Sequence, residues 1–353
     1  MDALRNAWYV AAWDRDLGGV PLSIKVLDEA IVLYRQADGT PAALEDACPH
    51  RKLPLSRGRI QGDWLECGYH GLTFDALGQC RRAPGSDRIP RGARVQAYPV
   101  ISRYAMIWIW MGDPQLADAA KIFPIPEWSD PAWGRNSGDT MDVECHYLYV
   151  TDNLLDPSHV AWVHQSSIAD TASANVPVDI HANADGSGLA VTRWTRDVEV
   201  APFYRQFTRF SGRCDRLQHY EVRYPCHAII QAVFVPSGAG GPAAQSHPEA
   251  FVMNSYNFMT PVDEANTRYV WFQTRNFAPG DAAISETMTD GIRKVFEEDQ
   301  AVLKAVQIGM TRRRTPNIDI AVDAGPLRFR RQLARLIAAE RESAAVAIPQ
   351  NQE

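Results

Sequence analysis

Apolar positions in the first third of the chain fall in short runs bounded by turn residues. Ala30-Ile-Val-Leu-Tyr34 and Tyr104-Ala-Met-Ile-Trp-Ile-Trp110 are β-branched, aromatic and strand-like. Ala37-Asp-Gly39 and Ala83-Pro-Gly85 punctuate the region as turns do. These features predict a small all-β domain over residues 1–120. The Pro-rich run Phe123-Pro-Ile-Pro-Glu-Trp128 marks its end. Residues 121–345 then mix both periods and form a second domain. A helical pattern covers 149–163, and strand-like runs cover 188–194, 219–235, 250–259 and 268–275. Helices follow at 282–310 and 326–345, the latter amphipathic. Residues 346–353 read as a polar tail, and the Gly-rich run 237–244 as a flexible loop. The expected class is α+β: an N-terminal all-β domain, then a region of mixed strands and helices.

Within the first domain, Cys48-Pro-His50 is followed after sixteen residues by Cys67-Gly-Tyr-His70. Each segment offers one thiolate and one imidazole. A zinc site usually groups its cysteines together and its histidines together. The mixed pairs suit a [2Fe–2S] centre, with Cys48 and Cys67 on one iron and His50 and His70 on the other. Neutral histidines reduce the negative charge around such a cluster and raise its potential. A tetrahedral zinc site is the alternative, and colour separates them, since only the iron centre is red-brown.

A second constellation is Asp152-Asn-Leu-Leu-Asp156-Pro-Ser-His159-Val-Ala-Trp-Val-His164. A mononuclear iron that meets dioxygen commonly uses two histidines and one carboxylate, with positions left open. Asp156 and His159 share a helix face. His159 and His164 lie about 140° apart on an ideal helix, so a bulge or helix end must separate them. A structural histidine pair is the competing reading. A carboxylate is suggested further on. Ile292, Val295, Phe296, Val302, Leu303 and Val306 form an apolar helical stripe, and Asp299 falls in its middle. Glu297 and Glu298 turn toward the polar side. A buried acid is costly unless paired or metal-bound, so a salt-bridged acid is the alternative for Asp299.

Cys48-Pro-His-Arg51 and Cys67-Gly-Tyr-His-Gly71 resemble the Rieske domain of ring-hydroxylating and demethylating oxygenases. Respiratory Rieske proteins carry an extra cysteine in each loop, absent here. Asn153-x-x-Asp156-x-x-His159-x-x-x-x-His164 with Glu297-Glu-Asp299 is similar to the iron site of the vanillate O-demethylase group. Asn6-Ala-Trp-Tyr-Val-Ala11 and Trp108-Ile-Trp-Met-Gly-Asp113 add to the resemblance. That group includes dicamba O-demethylase-like, toluenesulfonate methyl-oxidising and chloroacetanilide N-dealkylating enzymes.

The resemblance implies a helix-grip catalytic domain, a Rieske cluster on Cys48, His50, Cys67 and His70, and non-haem Fe(II) on His159, His164 and Asp299. It implies Asn153 and Asp156 as catalytic residues, Asp156 linking the iron site to His70 of a neighbouring subunit, and a homotrimer. The implied reaction is hydroxylation of a methyl or alkyl carbon of a small aromatic substrate by O2, leading to O- or N-dealkylation. Electrons come from a separate reductase or ferredoxin. An aryl-methyl hydroxylase or a ring cis-dihydroxylating dioxygenase is the alternative. A pure electron carrier would leave the second motif unexplained.

Composition changes this picture little. The 353 residues are 46% hydrophobic and 22% charged, which is ordinary for a globular chain. A net charge of −6 gives no support to nucleic-acid binding. No targeting signal and no apolar run long enough for a membrane helix is visible. The scattered cysteines argue for a reducing, cytoplasmic setting. Cys80, Cys145, Cys214 and Cys226 read as small core residues. Residues 51–94 hold nine Lys/Arg against four acids, a basic island around the cluster motif. Period-2 alternation selects Ile230, Met253, Asn257, Trp271 and Gln273 as pocket residues, with ordinary core as their other reading.

Overall fold

The computed structural model describes residues 1–169 and 171–347. It contains two compact units. One comprises Met1–Pro124, Thr260–Asp263 and the chain from Ile337 on; the other comprises Ile125–Met259 and Glu264–Leu336. The expected second domain ended at 345, whereas here the end of the last helix groups with the first unit. Residues 348–353 of the expected tail lie outside the described residues.

The first unit is built on three sheets. One orders Trp8–Trp13, Met106–Trp110 and Val100–Arg103. Another orders Leu22–Val26, Glu29–Arg35, Pro41–Glu45 and Ala97–Tyr98. The third orders Arg59–Gln61, Trp64–Glu66, Thr73–Phe74 and Cys80–Arg82. Val32, Tyr34, Leu44, Leu55, Leu65 and Phe74 form a core into which Cys48 and Cys67 are packed.

The second unit is an eight-stranded sheet. Its order is Gly134–Arg135, Asn266–Arg275, Phe251–Asp263, His227–Pro236, Cys214–Arg223, Gly188–Val198 and Asp179–Ala182, and Asp139–Val143 also pairs with Asn266–Arg275. The run read as one strand over 219–235 is a hairpin of two strands. The Gly-rich run after it is pinned, since the N–H groups of Gly238 and Gly240 donate to the buried Asp215 carboxylate.

Among the described residues five helices accompany the sheet: α1 (Tyr147–Asn153), α2 (Val160–Val163), α3 (Pro202–Arg205), α4 (Ala282–Arg312) and α5 (Ala324–Ala347). The helix expected over 149–163 is therefore broken. Pro157 disfavours helical backbone in the residue before it, and Asp156 turns its carboxylate to the N–H of Ser158 (2.8 Å). Asp281 caps α4 by accepting from the N–H of Ile284. The buried face of α4 includes Met288, Ile292, Val295, Phe296, Asp299 and Leu303. Phe296 packs on Tyr269 and Trp271 of the sheet. Val302 and Val306 were expected in this stripe but are about 40% exposed.

Candidate metal centres

The two Cys–His segments form matching loops. Cys48 donates its N–H to Leu53 O, and Lys52 N–H returns to Cys48 O. Cys67 donates to Leu72 O, and Gly71 N–H returns to Cys67 O. The fifth residue of each loop closes it in left-handed backbone: Lys52 at φ 59° and Gly71 at φ 72°. Both cysteines are buried and both histidines exposed, with the His50 and His70 rings 4.7 Å apart. Burial pushes the Cys48 thiol up, and Cys67 beside it adds to the effect.

The donors thus sort into a thiol pair on the inside and an imidazole pair on the outside. A two-iron cluster needs that separation, whereas zinc needs four convergent donors. Among the described residues, the one group whose three donor atoms lie within 4.8 Å of one another is elsewhere.

That group is His159, His164 and Asp299. The histidines stand at the two ends of α2, a single turn, which brings their rings to 5.2 Å. Asp299 arrives from the buried face of α4. Its Oδ1 lies 3.5 Å from His159 Nε2 and 3.3 Å from His164 Nε2. Each Nδ1 is held on its outer side. The backbone O of Asp156 takes that of His159, and Glu298 Oε2 takes that of His164 at 2.7 Å. Asn153 Nδ2 donates to Asp299 Oδ1 (3.0 Å). Two imidazoles with fixed outer nitrogens and one carboxylate match the donor set of mononuclear iron oxygenases.

Two sequence expectations change here. Glu298 does not point away: besides His164 it accepts from Ser166 and Ser167. Asp156 reaches His159 through its carbonyl, while its carboxylate serves Ser158.

A narrow cavity with a free volume of about 50 Å³ adjoins the trio. Ile230 and Met253 line it, as does Asn153; Asn257, Trp271 and Gln273 do not. Asn257 bonds Ser255 O and the Tyr269 hydroxyl, Gln273 bonds Ser255 Oγ, and Trp271 lies against Phe296. Helix α4 covers that part of the sheet. The lining residues missed from sequence include Arg216, Gln218 and Tyr220, on alternate positions of Cys214–Arg223. Their period-2 pattern was visible, but the strand was read as starting at 219.

Residues 7–99 match the Rieske [2Fe-2S] domain, and residues 143–339 match the vanillate O-demethylase oxygenase C-terminal domain. The toluene-4-sulfonate monooxygenase system iron-sulfur subunit of Comamonas testosteroni is 35% identical over 96% of this chain and 98% of its own. The vanillate O-demethylase oxygenase subunit of a Pseudomonas species is 35% identical over 98% of each. Among solved structures, dicamba monooxygenase bound to 3,6-dichlorosalicylic acid superposes with a TM-score of 0.88 at 29% identity, covering 96% of this chain and 99% of that one. Fold and donor sets define a Rieske non-haem iron oxygenase, with a [2Fe–2S] cluster and a mononuclear iron as its cofactors. More narrowly, the chain belongs to the vanillate O-demethylase oxygenase family. These relatives do not favour the ring-dihydroxylating alternative. Among the described residues, no helix is long and apolar enough to cross a membrane.

Proposed function

We propose that this chain is the oxygenase of a multicomponent system that hydroxylates a methyl or alkyl carbon bonded to O or N on a small aromatic substrate, and that the hydroxylated carbon then leaves as an aldehyde to give the dealkylated product. The observation that carries this reading is the His159–His164–Asp299 trio opening onto a largely apolar cavity. Cys48, His50, Cys67 and His70 hold the cluster, and the trio holds the iron. When bound, the cluster supplies single electrons and the iron supplies oxygen activation.

The chain's own residues do the rest. Asp156 O and Glu298 fix the tautomers of the two histidines, so that both Nε2 atoms face the metal position. Asn153 holds Asp299 from one side. Leu154, Val160, Val295, Phe296 and Met253 keep the cavity dry around the alkyl group.

The relatives are named as subunits or components of larger systems, which supports a separate reductase or ferredoxin. Arg51, Lys52, Arg57, Arg88, Arg91 and Arg94 are exposed around the cluster loops, suited to steering an acidic donor. Six cysteines, none of them in a disulfide, support a reducing, cytoplasmic setting.

The assembly is a homotrimer in which the cluster of one subunit serves the iron of the next. Exposed aromatics at both centres support this: Tyr69 beside His70 is 57% exposed and Trp162 in α2 is 71% exposed.

The test supplies reductase, methoxy-aromatics, N-alkyl anilides and aryl methyls, and measures oxygen uptake with aldehyde release. We expect uptake coupled to aldehyde for at least one alkoxy or N-alkyl class, and none in Asp299→Ala, which should lose its mononuclear iron but retain the cluster. Dihydrodiol as sole product, or full iron in Asp299→Ala, would overturn the reading.

A further inference from the structure

The wall of the cavity carries an arginine with little to bind. Arg216 is 2% exposed. Its Nε has no hydrogen-bond partner, and its Nη1 makes one long bond, 3.3 Å, to Ile168 O. No carboxylate pairs with it among the described residues. Its chain neighbour Asp215 points to the opposite face of the strand, where Arg196, Asp197 N–H, Gly238 N–H and Gly240 N–H satisfy it. Guanidinium does not deprotonate in proteins, and a buried, uncompensated charge is costly.

Other buried arginines of this unit are treated differently. Arg193 donates to Gln218, Pro157 O, Ser173 O and Ser173 Oγ. Arg275 donates to Ala278 O, Asp281 O and Ser285 Oγ. Arg193 bonds through all three of its nitrogens. Arg275 leaves its Nε unpartnered but bonds three oxygens through Nη2. Arg216, with one long bond, is left open toward the cavity.

The surroundings keep the group oriented. The ring centroids of Tyr204 and Phe234 stand 5.7 and 5.2 Å from its Cζ. Asp299, the carboxylate lining the same cavity, belongs to the metal trio. Tyr220 lines the same cavity, and its hydroxyl accepts from Gln218 Nε2.

We propose that Arg216 is the subsite for an oxyanion on the substrate, a carboxylate or sulfonate carried by the aromatic ring, and that it directs the alkyl group at the far end of the ring toward the trio. The inference rests on the oxygenase reading above and names its substrate class. Guanidinium donates two parallel N–H bonds to two oxygens of a carboxylate or sulfonate, and Arg216 Nε has no other partner here. The free volume of about 50 Å³ is less than a benzene ring occupies, so a ring enters only as flexible side chains such as Met253 give way.

The test uses the iron- and cluster-loaded enzyme and measures binding by calorimetry. The ligands are 4-methoxybenzoate, 4-toluenesulfonate and the neutral 4-methylanisole. In the wild type, at least one anion should bind about 10- to 100-fold tighter than the neutral ring. The ranking of the two anions decides between carboxylate and sulfonate. Arg216→Met should bring the anions to within about threefold of the neutral compound, and Arg216→Lys should keep part of the preference. Should Arg216→Met not fold, the wild-type ranking and Arg216→Lys decide. Equal binding of anion and neutral ring in the wild type, or anion preference undiminished in Arg216→Met, overturns the assignment. Failure of the oxygenase reading looks different: a wild-type protein without mononuclear iron or without the Rieske absorbance.

Discussion

His164 keeps one nitrogen for Asp299 and gives the other to Glu298, 2.7 Å away. A carboxylate behind a ligating imidazole fixes the ring and raises its basicity, and losing such a partner typically costs about 10- to 100-fold in metal affinity. Glu298→Ala should therefore release iron on dialysis against a chelator at concentrations the wild type withstands. Glu298→Gln, which keeps an acceptor without the charge, should fall between. The cluster absorbance should not move in either. Unchanged iron retention in Glu298→Ala would falsify the role. Asp299 was legible in the sequence because a 100° step per residue sets it among Ile292, Val295 and Phe296. Glu298 was not. The same projection turns it outward, but a long side chain on the flank reaches His164, Ser166 and Ser167 across the packed α2 loop. Helical periodicity describes where a Cβ points, and cannot describe which loop meets it.

At the scale of elements, the two cluster loops share a closing residue in left-handed backbone, and only one of them is glycine. Gly71 has φ +72°, and a Cβ there would stand 3.0 Å from Pro84 Cγ. Gly71→Ala should cost about 1–3 kcal/mol of local strain and lower the temperature at which cluster absorbance is lost. Lys52→Gly, at φ 59°, should be neutral or raise it. The reverse order of the two variants would sink this account of the loops. A second element-scale prediction concerns the strand Cys214–Arg223. Burial pulls the Glu221 carboxyl up, yet hydrogen bonds and charge from His219 and Arg223 hold it down to about 2, from 4.5. A depressed carboxylate stabilises the fold above its unfolded value and loses that contribution as pH falls through the folded one. Glu221→Gln should thus be less stable than wild type at pH 7, by at most about 3 kcal/mol. The gap should shrink between pH 4.5 and 2. Denaturant midpoints across that range check it, and a gap that persists at pH 2 contradicts it. The helix end at His164 was legible from the five-residue histidine spacing, whereas the break between α1 and α2 was not, because 149–163 was read as one helix. The pocket was legible in part. Alternation identifies a strand's inner face, but which stretch of that face α4 covers depends on helix docking.

For the whole molecule, the two centres present different faces. In the first unit the thiols are buried and the histidines exposed, which suits the proposed passage of electrons through His50 and His70. In the second, Trp162 projects into solvent from the same turn that carries the iron ligands on its other side. A tryptophan 71% exposed is a large apolar surface for a free monomer to leave in water. Burial of the ring in a subunit contact would remove it from solvent, and it would place that contact within one helical turn of His159 and His164. Trp162→Glu sets a charge against the contact without touching either donor set. If the proposed trimer forms through this turn, sedimentation should show it replaced by monomer. Iron content and cluster absorbance should match wild type, because each unit folds on its own core. The reductase should still reduce the cluster at the wild-type rate. In a single turnover with substrate and oxygen, reoxidation of the reduced cluster should slow by at least about tenfold, since the neighbour's iron is no longer within reach. A monomer that reoxidises at the wild-type rate would show transfer within one chain. A trimer unaffected by Trp162→Glu would remove α2 from the subunit contact.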